Sequence, residues 1–162
     1  MRRIWIVGML ALLLSGCGGQ ETMETIADDL VAPVMARPRQ IAVRLPEDAI
    51  APVLEGEGCQ IYMSEEYEIA IETMASGDLR STIEKISGYD RESLTVMETK
   101  QEDAERYEFV WVSTGERGDL LGRAVILDDG QYHYCMSVLR DASSVENTQI
   151  VWSDVFGSFT LT

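Results

Sequence analysis

The chain has 162 residues, and 28 aspartates and glutamates against 13 lysines and arginines give it a formal charge of −15. So acidic a surface is repelled by nucleic acid and by anionic lipid headgroups, which excludes the function classes that grip phosphate backbones. A hydrophobic fraction of 46% supplies a packed core, and the length suits one such core and scarcely two.

The first element in chain order is an export signal. Arg2 and Arg3 form a short positive head, and residues 4–14 (IWIVGMLALLL) an apolar run broken only by Gly8. The run is shorter than the ~20 apolar residues a spanning helix needs. An ordinary signal ends in small residues with no demand for cysteine, yet here Ser15 and Gly16 lead straight into Cys17. Leu14-Ser15-Gly16-Cys17 in this position resembles the lipobox of bacterial lipoproteins. The resemblance implies diacylglyceryl transfer to the Cys17 sulfur and cleavage before Cys17. It also implies a lipid-anchored chain on the extracytoplasmic face of a cell membrane, the outer one being open to it in a host with two. Two acyl chains give an anchor that one chain cannot, and Gly18 and Gly19 leave the backbone unhindered beside them. The division is then a signal peptide over 1–16, a lipidated N-terminus and tether over 17–40, and one globular domain over 41–162. Removing 16 residues from 162 leaves 146, and losing Arg2 and Arg3 takes the charge from −15 to −17. The membrane is met through the anchor and not through a basic patch.

Within the tether, Met23, Ile26 and Leu30 have helical spacing before Pro33, so the segment is either a short amphipathic helix or a disordered spacer. Residues 41–45 alternate as a strand, Pro46 and Pro52 break pairing, and Glu55-Gly56-Glu57-Gly58 reads as a loop. Residues 59–63 and 67–74 form a hairpin, with Tyr67, Ile69 and Ile71 on one side and Glu68 and Glu72 on the other. Leu79, Ile83 and Ile86 then switch to helical spacing, with Asp78 as N-cap and Gly88 at the stop. Strands follow over 94–99 and 107–113. The second has Tyr107, Phe109 and Trp111 on one face and Val110 and Val112 on the other, the pattern of a central strand. Its aromatics are a core stripe in preference to a binding platform. Residues 121–127 and 131–139 flank Asp128-Asp129-Gly130, a strong hairpin signal. Ser143-Ser144-Val145-Glu146 resembles a capping box opening a helix to Phe156, and 159–161 is a last short strand. The sum is an α+β domain, an antiparallel sheet carrying about two helices.

Chemistry is sparse. Once Cys17 is lipidated, Cys59 and Cys135 remain, in a compartment where disulfides persist. They are either a disulfide pair or two separate buried thiols. The single histidine, His133, lies between Tyr132 and Tyr134 with no nucleophile-elbow motif in the chain, so it reads as a structural or surface residue. The alternative is an envelope hydrolase that uses His133 with a Ser or Cys and an acid, since such sets are recognised by geometry. Metal ligation is disfavoured: one histidine and two distant cysteines lack zinc spacing, and Asp128-Asp129-Gly130-Gln131 lacks the alternation of a calcium loop. Carboxylate-based cation binding by the acidic surface is a further alternative. No cofactor motif is present.

The order of elements from Cys59 onward is similar to the αβα sandwich of the PsbP-like and DcrB-like proteins, the latter envelope lipoproteins. Residues 92–99 (ESLTVMET) and 123–134 (RAVILDDGQYHY) also resemble lipoproteins of anaerobic gut Firmicutes. These resemblances imply a fold and an address but bring no catalytic motif to this chain. The expectation is a membrane-anchored, non-catalytic envelope lipoprotein whose domain binds a protein partner or small ligand.

Overall fold

The structure, a computed structural model, describes residues 36–115, 118–142 and 149–162. The signal peptide, Cys17, most of the tether and the 143–146 capping box lie outside the described residues. The elements are β1 (Ile41–Ala42), β2 (Leu54–Gly56), β3 (Cys59–Met63), β4 (Tyr67–Ala75), α1 (Leu79–Ser87), a 3-10 turn (Arg91–Ser93), β5 (Met97–Gln101), β6 (Ala104–Gly115), β7 (Gly118–Asp128), β8 (Tyr132–Asp141), α2 (Gln149–Ser158) and β9 (Thr160–Leu161). The fold is α+β. Seven strands pair antiparallel in the order β2-β3-β4-β8-β7-β6-β5, and β1 pairs with β9 in a separate ribbon.

Period-two alternation sends alternate side chains of the sheet to opposite faces, and each face buries its apolar set under one helix. Ile69, Ile71, Val125, Leu127, Tyr134, Met136 and Val138 pack with Trp152, Val155 and Phe156 of α2 and with Phe159 and Leu161. Phe109, Trp111, Ala124, Ile126 and Cys135 pack on the other face with Ile83 of α1. The domain is thus helix, sheet, helix in three layers.

Helix α1 forms where its caps demand. The Asp78 carboxylate accepts from the Arg80 amide at 3.2 Å, and Gly88, at φ 75°, donates its amide to the Glu84 carbonyl. The β7–β8 hairpin turns at Gly130 with φ 86°, as a primed turn requires. The Asp129 carboxylate fixes that turn by accepting from the amides of Gln131 and Tyr132.

Several expectations are corrected. Residues 54–56 are an edge strand paired with β3, not a loop, held by the ladder to β3 with no help from apolar alternation. The strand expected at 94–99 runs over Met97–Gln101, while Leu94 and Val96 drop out of the sheet to pack under α1. Strand β6 lies second from an edge: its aromatics are core, but Val110 and Val112 are exposed because α2 does not reach them. The 41–45 strand shortens to two residues, which pair with β9 in a ribbon of their own.

Candidate functional site

His133 is the second residue of β8, opposite Asp128 of β7 and Met74 of β4, and its ring enters the α1 layer. It has no solvent exposure. Nδ1 is 2.8 Å from Thr82 Oγ1 of α1, while Nε2 is 3.4 Å from both Ser76 Oγ and Asp128 Oδ2. Ser76 also donates to Asp128 Oδ1, which accepts the Gly130 amide as well. A serine, a histidine and an aspartate therefore meet, but not as an acyl-transfer set. That set needs the nucleophile on one ring nitrogen and the orienting acid on the other. Here both crowd one nitrogen, and a threonine holds the second. The group ties the end of β4, α1 and the β7–β8 hairpin together, and it leaves no path for a substrate to the ring.

Cys59 and Cys135 are both free thiols. Each pairs in register with Glu72, one from β3 and one from β8, so a whole strand separates them. Two strand spacings are about 9.5 Å, beyond the Cα separation that a disulfide spans. This corrects the disulfide alternative in favour of two separate thiols. Burial, helped by the Glu72 charge, pushes the Cys135 thiol up to about 12, so it is not a nucleophile at neutral pH. Cys59 is raised for the same causes, and its Sγ lies 3.9 Å from a Glu72 carboxylate that Lys85 holds at 3.1 Å.

The opposite face holds a feature that sequence reasoning missed. Arg106 is buried on β6 beneath the end of α2, where it donates to the Phe156 carbonyl at 2.9 Å and the Phe159 carbonyl at 3.4 Å. Both carbonyls sit at the C-terminal end of α2, where a cation is favoured, and each also accepts a second donor, the Phe159 amide at 3.3 Å and Gln101 Nε2 at 3.0 Å respectively. Its Nε donates to Glu108 Oε1 at 2.8 Å, and Arg123 Nη2 donates to Glu108 Oε2 at 2.9 Å. Burial alone would raise the Glu108 carboxyl, but the hydrogen bonds from Arg123 and Arg106 outweigh it and hold it below its ordinary value. The Arg123 guanidinium also stacks 4.2 Å from the centre of the Phe156 ring. Beside it opens a cleft of about 180 Å³ lined by Val110, Leu121, Arg123, Val138, Arg140, Trp152 and Phe156. The signal was in the phase of the strands. Arg106 shares its side of β6 with Glu108, Val110 and Val112, and Arg123 its side of β7 with Leu121, Val125 and Leu127, so both arginines stand on the face that α2 partly covers.

Among the described residues, no group of three or more His, Cys, Asp or Glu side chains gathers as a metal site, and no helix is long and apolar enough to cross a membrane. No protein-family model matches the chain, and no curated protein matches it.

Proposed function

We propose that the chain is a lipid-anchored protein of the cell envelope, tethered through Cys17, whose domain recognises a ligand or protein partner and performs no chemistry. The anchor is supported by Leu14-Ser15-Gly16-Cys17 at the end of its apolar run. Recognition without catalysis is carried by one observation: the only histidine is sealed from solvent, and its serine and aspartate neighbours share a single ring nitrogen. The three-layer order supports grouping the domain with the PsbP-like sandwich.

The test has two independent readouts. Mass spectrometry of protein extracted from membranes is expected to find Cys17 as the mature N-terminus, bearing a thioether-linked diacylglycerol. Cys17→Ser should release the protein from the membrane fraction; an uncleaved chain, or cleavage elsewhere, sinks the anchor. A fluorophosphonate probe is expected to leave Ser76 unlabelled. Labelling at Ser76 that disappears in His133→Ala would establish a hydrolase instead.

A further inference from the structure

We propose that the cleft between α2 and strands β6, β7 and β8 binds a small organic monocarboxylate whose apolar part is about the size of one ring. The proposal rests on reading the domain as a binding module, and names what it binds.

The cleft joins two kinds of wall. Val110 pairs with Arg123 and Leu121 with Arg140 across neighbouring strands, so apolar and guanidinium side chains alternate on one face. Trp152 and Phe156 close the helix side, and Trp152 is itself braced edge-on against Tyr67, ring centres 5.1 Å apart. The walls are therefore held before any ligand arrives.

Charge selects an anion. The Arg106, Glu108 and Arg123 cluster sets two guanidinium groups against one carboxylate, leaving one positive charge in excess, and Arg123 itself lines the cleft. An arginine offers five N–H donors in a plane that matches a carboxylate, and the described bond from Arg123 to Glu108 engages one of them. In a chain of net charge −15 this is a local positive island. The surrounding field penalises each further negative charge on a ligand, so a monoanion is favoured over a phosphate ester or a polyacid. Size selects the body. A cavity of about 150 Å³ is known to take benzene, and the cleft at about 180 Å³ takes one ring with a carboxylate at its mouth.

Phenylacetate titrated into the full-length protein tests this by NMR. Saturable shifts are expected at the Trp152 indole and at the methyls of Val110, Leu121 and Val138. Phenylacetamide, the same shape without the charge, should bind at least about tenfold more weakly. Arg123→Gln should lose a comparable factor. Val110→Phe, at an exposed position, should block the cleft while keeping Arg106 and Arg123, and it carries the test if Arg123→Gln misfolds. Equal binding of phenylacetamide, shifts confined to other residues, or no saturation by about 10 mM would overturn the proposal. Any of these in a protein shown to carry lipid on Cys17 refutes the ligand alone. A missing lipid with intact phenylacetate binding refutes the anchor alone.

Discussion

A buried imidazole must find a partner for each nitrogen, and His133 finds them on three different elements. Thr82→Val keeps the shape and removes the partner of Nδ1 among the described residues. The expected cost is about 1–3 kcal/mol in urea denaturation, whereas Thr82→Ser should stay close to wild type. Gly122 works by absence: it faces Trp111 across the β6–β7 pair, and an added Cβ would overlap the indole. Gly122→Ala should cost about 1–3 kcal/mol by overpacking, and Trp111→Leu in the same chain should recover part of it. Neither constraint was legible in the sequence. A lone histidine among tyrosines and a glycine inside an apolar run carry no mark of what lies opposite, because the first depends on a helix 51 residues away and the second on the register of the β6–β7 hairpin.

At the scale of elements, legibility followed local chemistry. Helix α1 was readable because its period, its N-cap and its stop lie within eleven residues, 78–88, and act on each other directly. The β7–β8 hairpin was readable because Gly130 alone satisfies the backbone there. Strand β2 was not, because an edge strand of Leu54, Glu55 and Gly56 is held by ladder hydrogen bonds and buries nothing. Helix α2 depends on a device outside its own sequence, the Arg106 guanidinium under its last carbonyls. Arg106→Met should therefore destabilise by about 3 kcal/mol or more, since it strips Glu108 of a partner in a largely buried site and takes a charged donor from the Phe156 and Phe159 carbonyls. The same pairing sets an acid response. Glu108 sits below its ordinary value in the folded protein, so the unfolded chain takes up its proton first as pH falls. That share of stability is present above the ordinary carboxylate range and is lost as pH drops through the folded value. Melting temperature should fall below about pH 4, with a gentler slope in Glu108→Gln.

For the whole molecule, the two helical layers enclose the sheet so that its central strands present ionisable groups to a dry interior. Burial pushes the hydroxyls of Tyr67 and Tyr134 from 10.0 up to about 12, with hydrogen bonds to Asp48 and Asp129 adding to it, and it takes the Cys135 thiol from 9.0 to about 12. Each group keeps its proton when folded and releases it earlier when unfolded. Their contribution is complete below the ordinary values and drains away as pH rises toward 12. Thermal melts should hold steady to about pH 9 and decline above it, and Tyr67→Phe should flatten the decline. The layer order itself was legible, because apolar alternation reports that a face is buried. Which helix covers it, and how far, was not: the exposed Val110 and Val112 show that α2 stops short, and the arginine-rimmed cleft lies where it stops.

The β1–β9 ribbon gives this molecule a mechanical sense. Gln40 and Thr162 exchange backbone hydrogen bonds at 3.2 and 2.9 Å, so the backbone just ahead of the domain is stitched to the segment that follows α2. Ahead of the ribbon the chain is already tied to the large sheet: the Tyr132 hydroxyl donates to the Ala36 carbonyl and the Arg39 amide donates to the Tyr134 hydroxyl, each at 2.9 Å, while Arg39 pairs with Asp103. Tension drawn along the chain from its N-terminal side would meet these side-chain bonds first and the ribbon next. Force would therefore enter the body through β8, and the ribbon would open only after those bonds had given way.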